Sequence, residues 1–365
     1  VTPVNAPTTA PPAGRAGLPS EPAATSTDER RRRRTRGLVI ITVTVLLLVA
    51  LMTVRVLVGT PMVYADHALR AILGEQLPGI SYIVVESRLP AAIIAVLAGI
   101  AFGLSGTTFQ TLLRNPLASP DVIGVSLGAS AGAVIAMALF GAQGTTLFWF
   151  TLLGGTGIAA LVLLVAGAAR TGTGGAVDNR FVLVGIGVAA ALQALISYLM
   201  TRVNSQTAGD IMHWLIGSLS TSTWDRVRVL ALALVVLVPI LAALLTRLRI
   251  LQLGDDTATS LGLAVPRTRI ALVLVAVALT SLTVAVTGPL AFVAFLSGPL
   301  ARIIAGRPSV PLAAGIGALI VLAADIIGQN AFGAVDLPAG VITGVLGAPF
   351  LLWLLTRSPS PGEGK

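Results

Sequence analysis

The stretch Leu113–Gly132, "LRNPLASPDVIGVSLGASAG", separates two runs that are otherwise almost wholly apolar. It brings Arg114, Asn115 and two prolines, and then a glycine at every fourth position. Pro116 and Pro120 push Asn115 and Ser119 out of the helical region, so the incoming helix must end here. A new helix is expected to restart at once. Ser119 suits a cap, Pro120 suits the first turn, and Asp121 falls where the helix dipole favours negative charge. Gly124, Gly128 and Gly132 then share one helix face, where absent side chains let another backbone come close. Gly99 with Gly103, and Gly340 with Gly344, repeat that spacing elsewhere. Among 39 glycines a single such pair arises readily by chance.

The flanking runs decide the class. Of 365 residues 55% are hydrophobic and 11% charged, and the mean hydropathy is +0.92. A water-soluble fold so composed would lack the polar surface to cover itself, so the chain reads as an integral, all-α membrane protein. A span needs roughly 20 apolar residues to cross the hydrocarbon core. Ten candidates lie near residues 37–58, 88–110, 120–140, 146–169, 180–202, 226–246, 268–287, 290–305, 310–330 and 337–356. Cysteine is absent, which removes disulfides and thiol-ligated metal. His67 and His213 fall outside the spans and far apart, so no metal site is expected.

Residues 1–36 differ in kind. Six prolines and few large apolar side chains predict a disordered tail, ending in "RRRRRTR" at Arg30–Arg36. Because that run abuts an apolar segment directly, it reads as an orientation signal that also suits anionic lipid, rather than as a nucleic-acid site. The domain reading is a basic cytoplasmic tail over 1–36, a membrane domain over 37–357 and a short C-terminal tail over 358–365. With ten spans both termini share the cytoplasmic side. Eighteen of the 24 Lys and Arg then fall inside and five outside, with Arg55 near the outer end of the first span. One missed or invented span would invert every later loop and spoil this asymmetry.

The chain has no P-loop of its own, since that motif needs a lysine before Ser or Thr and the only lysine is Lys365. The longest inside loop after the tail runs from about Arg247 to Arg269. There Asp255 and Asp256 can cap a short helix, Ala258 and Leu261 give it an apolar side, and Gly262 can end it. Asp325 is the one acidic residue placed within a span. At the membrane centre it would cost roughly 2.5–3.5 kcal/mol, so it should face protein or a wet cavity. Gln110 and Gln193 are candidate hydrogen-bonding contacts between helices. "AGDIMHWLIGSLSTSTWDR", Ala208–Arg226, is long for an outer loop and carries Trp214 and Trp224; it suggests an interfacial helix beginning near Asp210 beside the outer mouth of a pathway.

The stretch "RLPAAIIAVLAGIAFGLSGTTFQTLLRNPLASPDVIGVSLGASAG" resembles the permeases of bacterial ABC importers for iron-siderophores, haem and vitamin B12, the FecCD family. So do "WLIGSLS" at Trp214–Ser220, "LGDDTATSLGL" at Leu253–Leu263, "GPLAFVAFLSGPLARIIAG" at Gly288–Gly306, "ADIIG" at Ala324–Gly328 and "LPAGVITGVLGAPFLLWLL" at Leu337–Leu355. The resemblance covers about residues 37–357. It implies a ten-helix subunit with inverted-topology halves, helices two to five and seven to ten. It also implies a second permease subunit, two cytoplasmic ATP-binding subunits that use ATP and magnesium, and an extracytoplasmic substrate-binding protein; this chain itself would bind no cofactor. Leu253, Gly254, Asp255, Asp256, Ala258, Leu261 and Gly262 would form the coupling helix seated on the ATPase.

By the same resemblance Arg88 would meet the binding protein, while Ala91 and Gln329 stand where basic residues are common. Those departures fit a heterodimer whose sister subunit carries more of that contact. Leu300 replaces a common histidine, with Pro299 expected to keep a turn-like break, and Asp325 is expected to pack or to line the pathway. The cargo stays open among iron-siderophore, haem and cobalamin. A proton-coupled carrier using Asp325 and a non-transporting scaffold are the other classes; uptake driven by ATP, by a proton gradient or by neither separates the three.

Overall fold

The computed structural model describes residues 24–121, 124–168, 176–333 and 335–357. Among these residues are thirteen α-helices. They are α1 (Ala24–Leu57), α2 (Ala65–Ile72), α3 (Leu89–Leu112), α4 (Val125–Phe140), α5 (Gly144–Ala168), α6 (Ala176–Met200) and α7 (Ser205–Ile216). The chain continues through α8 (Trp224–Leu251), α9 (Asp255–Ser260), α10 (Val265–Thr287), α11 (Val293–Ala305), α12 (Val310–Asn330) and α13 (Ala339–Arg357). All ten expected spans are helical. Seven helices are long and apolar enough to cross a bilayer, while α4, α11 and α13 are shorter apolar helices. Residues 1–23 and 358–365 lie outside the described residues. The described end of the tail, 24–36, is not coil as expected but the first turns of α1, a helix propagated from the apolar run. The chain divides into two compact units, Val1–Ile40 and Ile41–Lys365, and the packed helix bundle belongs to the second.

Helix α3 is the axis of that bundle, with α12, α10, α11 and α8 packed around it. Glycine makes the approach possible. A Cβ on Gly99 would overlap the backbone of Gly317 and Ala318 in α12, and one on Gly317 would overlap the Gly99 carbonyl. Gly103 lies as tightly on Ala313, and Gly106 on Ala294 of α11. In the membrane there is no hydrophobic drive to bring helices together, so such close backbone contact supplies much of the association. Gly128 and Gly132 do the same for α4 against Gly154 and Phe150 of α5.

Two expectations about α4 are corrected. It begins at Val125 rather than near Pro120, because turn bonds precede it: Ala118 N–H bonds to the Asn115 carbonyl at 3.1 Å and Gly124 N–H to that of Asp121 at 3.0 Å. Gly124 is therefore the N-cap, at φ +85°, a backbone that glycine adopts without penalty, and not a third member of the packing stripe. Of the later pair, Gly340 packs on the Ile216 carbonyl, whereas a Cβ on Gly344 would meet nothing within 4 Å. Pro299 also makes no turn, since α11 runs through it from Val293 to Ala305.

The inverted halves that the resemblance implies are visible once the helices are placed. The link before α4 carries Pro116-Leu117-Ala118 and the link before α11 carries Pro289-Leu290-Ala291. Each follows a long buried helix, and each leads into a short helix through a left-handed residue, Gly124 or Phe292 (φ +63°). The neighbours match as well, since α3 packs on α12 and α10 on α5. One link is approached from the end of the bundle that carries α9 and the other from the end that carries α7, the signature of inverted halves.

Substituting alanine at Gly99 or Gly317 is expected to cost about 1–3 kcal/mol through overpacking, seen as a lower melting temperature in detergent. Gly344→Ala should be neutral or slightly stabilising, because only the helix propensity changes there.

Candidate functional site

Three places hold the chain's polar groups in relation to one another: the end of the bundle carrying α9, a cavity between the two Pro-Leu-Ala links, and the end carrying α2 and α7.

Helix α9 is short, and its C-terminal end is closed. Gly254 at its start has φ +110°, and no side chain caps the helix there, so Asp255 and Asp256 act differently from expectation. Asp255 accepts a hydrogen bond from Arg269 of α10 at 3.0 Å, tying the helix to the bundle, while both acids lie in the first turn where the helix dipole favours them. At the other end Gly262 is left-handed, at φ +81°. Its N–H bonds to the Thr259 carbonyl at 2.8 Å, and the Leu263 N–H reaches the Ala258 carbonyl at 3.0 Å. That pair of bonds is a Schellman closure. The expected apolar side splits in two. Ala258 is fully buried in the cluster that holds Leu251 and Val265, whereas Leu261 and Leu253 are 62% and 63% exposed. Ala258 thus seats α9 on its own chain, and only the two leucines face outward.

A cavity of about 830 Å³ lies between the halves. It is bordered by Leu117, Ser119, Asp121 and Ser126 from the first link and α4, by Pro289, Leu290 and Phe292 from the second, and by Leu215, Ile216, Gly340 and Gly344. Its walls are mostly apolar. Among the described lining residues Asp121 is the charged one, and its carboxylate accepts a hydrogen bond from the Ser126 hydroxyl. Asn115 and Pro116 shape the link: Asn115 Oδ1 accepts from the Leu117 N–H at 2.8 Å, an Asx turn. Gln110 is buried and donates to the Phe295 carbonyl at 2.9 Å, the inter-helix contact expected of it. Gln193 is not such a contact, since it is exposed on α6.

One lip of the cavity is made of backbone, which sequence reasoning missed. Helix α7 starts earlier than Asp210, at Ser205, because Asn204 caps it by accepting from the Thr207 N–H at 2.8 Å. Its end abuts the second link. A Cβ on Gly217 would overlap the Pro289 carbonyl, Ser218 N–H bonds to the Thr287 carbonyl at 3.0 Å, and Gly340 N–H bonds to the Gly217 carbonyl at 3.2 Å. Trp224 donates to the Val85 carbonyl at 3.0 Å, in the π-helical stretch Tyr82–Arg88 that leads into α3.

At this end Arg88 is not the exposed docking residue expected. It is 5% exposed and turned inward, donating to the carbonyls of Val56 at 3.0 Å, Leu57 at 3.2 Å and Pro61 at 2.6 Å. Val56 and Leu57 end α1, so Arg88 satisfies carbonyls that have no partner within their own helix. Ala91 is buried too, and Gln329 donates to Asp325 at 3.1 Å. Of the positions compared with a docking set, Arg88 and Ala91 are therefore interior and Gln329 is half-buried. Asp325 itself is buried and forms an ion pair with Arg55 of α1, so it is neutralised within the protein and faces no pathway. Among the described residues the exposed cations at this end are Arg70, Arg202 and Arg228. Arg70 holds the Glu75 carboxyl below its usual range through a paired hydrogen bond, and Arg228 meets Asp225 at 3.0 Å.

Comparison with known proteins agrees with this architecture. The FecCD transport family matches residues 46–357. The chain is 38% identical over 302 residues to the ferric enterobactin transport system permease protein of Escherichia coli (strain K12), covering 82% of this chain and 90% of that one. To the Fe(3+)-citrate import system permease protein of Bacillus subtilis (strain 168) it is 33% identical over 310 residues, 84% of this chain and 91% of the relative. Its fold superposes with TM-score 0.76 and 25% identity on a metal-chelate type ABC transporter in an inward-facing conformation, over 88% of this chain and 99% of that chain.

Arg55 and Asp325 both fall within the matched stretch. Removing either partner leaves a buried charge alone and should destabilise by about 3–5 kcal/mol, while replacing both with apolar residues should recover most of that loss. Thermal unfolding of Arg55→Leu, Asp325→Leu and the double variant measures it. A loss in the double variant equal to the sum of the two single losses would show that the two side chains do not depend on each other.

Proposed function

The chain belongs to the FecCD transport family, and from that premise we propose that it forms the membrane pathway through which an ABC importer carries an iron chelate. The observation that carries the reading is α9, a short helix closed at its C-terminal end, fastened to the bundle by Asp255 and Ala258 and presenting Leu253 and Leu261 outward. A passive pathway needs such a rigid projection, because the chain lacks the lysine of a P-loop and an ATP-hydrolysing partner must push on something. The iron-siderophore and ferric-citrate cargo is taken from the relatives, and the apolar cavity between the links is compatible with passing a bulky chelate without gripping it.

In this reading α9 and both termini are cytoplasmic, as the arginine distribution supports, and two ATP-binding subunits dock there. The exposed end carrying α2 and α7 receives the binding protein, with Arg202 as the exposed cation best placed for an acidic lobe. A second permease subunit completes the pathway; the exposed Gln193, in the middle of a span, suits a protein or aqueous neighbour better than lipid. The proton-coupled alternative loses its support in the Arg55–Asp325 pair, which gives the carboxylate a fixed partner.

Reconstituted with its ATPase subunits and binding protein, the chain should take up ferric enterobactin or ferric citrate into liposomes only with ATP. Uptake by the chain alone would sink the proposal. Leu253→Asp and Leu261→Asp should leave membrane insertion intact. Each should weaken ATPase docking by ~2 kcal/mol, about thirtyfold in affinity, read by co-purification and by uptake.

A further inference from the structure

Arg114 stands in a backbone conformation that side-chain-bearing residues avoid, φ +49°, at the point where α3 turns into the first Pro-Leu-Ala link. Nothing in the link's own turn chemistry asks for arginine there, and glycine would fit the conformation better. What the arginine adds is one long-range contact: its Nη2 donates to the Leu251 carbonyl at 2.7 Å, 137 residues away in sequence. Leu251 is the last residue of α8, so its carbonyl lacks a partner within the helix, and a cation at a helix C-terminus is favoured by the dipole. The same carbonyl also accepts from the N–H of Gly254, the residue that starts α9. One oxygen atom thus joins the base of the projecting helix to the end of α3.

From Arg114 two stiff connections lead on to the cavity. Through the chain, the Asn115 N–H bonds to the Gln110 carbonyl at 3.1 Å and the Asn115 side chain fixes Leu117, so the link to Ser119 and Asp121 has little freedom to absorb a displacement. Through space, Gln110 donates to Phe295 in α11, which borders the same cavity. We propose that Arg114 is a positioning residue that transmits displacement of α9 to the cavity wall, through the shared Leu251 carbonyl. The proposal rests on α9 being the segment pushed by the ATPase. Arg114 touches neither cargo nor nucleotide; it keeps the wall in register with the lever.

The test uses the full complex in liposomes, with ferric enterobactin, or ferric citrate where the wild type prefers it, and compares two variants. Arg114→Gly removes the guanidinium while permitting the backbone, and Arg114→Lys keeps a cationic donor. The Gly variant should assemble with its ATPase subunits and hydrolyse ATP, yet move about tenfold less chelate per ATP, a coupling of ordinary size between two sites. The Lys variant should recover most of that ratio. A Gly variant with a wild-type ratio, one that fails to assemble, or a Lys variant no better than Gly would each overturn the relay. Wild-type uptake that ignores ATP would instead overturn the proposed function and leave this contact as an ordinary helix cap.

Discussion

The structure depends on how closely α3 can lie against α12. Gly99 and Gly317 remove side chains from both surfaces at one point, and the carbonyl of each occupies space where the other's Cβ would have been. This contact fixes the axial position of α3 relative to the second half of the chain, and it does so with backbone atoms that cannot swing aside. Groups at the two ends of α3 therefore have set positions, and both ends carry an arginine. Arg88 reaches the terminal carbonyls of α1, and Arg114 reaches the last carbonyl of α8. Arg226 repeats the device by donating to Val286, next to the end of α10, at 3.2 Å. A bilayer offers no water to unpaired carbonyls in its core and little near its edges, so a cation on a neighbouring helix is an effective C-cap.

The polar residues divide by how they are neutralised. Asp325 has Arg55 and Gln329, and its buried pair ties α1 to α12. A pair of this kind contributes little net stability against an apolar equivalent, yet it strongly disfavours any arrangement in which the partners separate. It suits a static scaffold. The cavity is bounded differently, by two links without regular hydrogen-bonded structure, each ending in a left-handed residue. Irregular backbone at membrane depth is tolerated only where it is enclosed by protein or lines a cavity, and these links do line one. The buried ion pair and the cavity-lining links are thus separate elements of the same bundle.

Most of the architecture was legible in the sequence because bilayer thickness imposes a length on apolar runs and proline ends them. The ten spans, the turn at Asn115–Pro120, the glycine contact of α4 and the short helix before Gly262 all follow from local rules. What failed was direction. Arg88 and Ala258 were read as outward-facing, but a sequence window does not reveal whether an arginine near a span's end meets water or another helix's carbonyls. Nor does it reveal which side of a six-residue helix rests on its own protein. Gln193 failed in the opposite sense, since an amide within an apolar run has no partner until the neighbouring helices are known. The paired Pro-Leu-Ala links could have been found by comparing the chain with itself, and were obscured because only three residues recur across more than 170 positions.

The inverted arrangement of those links has a mechanical consequence. Each short helix starts beside the cavity, but α4 is approached from the end that carries α9 and α11 from the end that carries α7. A displacement arriving at the first link acts on Leu117, Ser119 and Asp121. One arriving at the second acts on Pro289, Leu290 and Phe292, where Gly217 lies against the Pro289 carbonyl and Gly347 against the Phe292 ring. The second link is confined by close packing on Gly217 and Gly347, whereas the first is tied to the junction of α8 and α9 by Arg114. Of the two cavity walls, the one nearer α9 is thus the one joined to the base of that helix, and that asymmetry suits a pathway driven from one side.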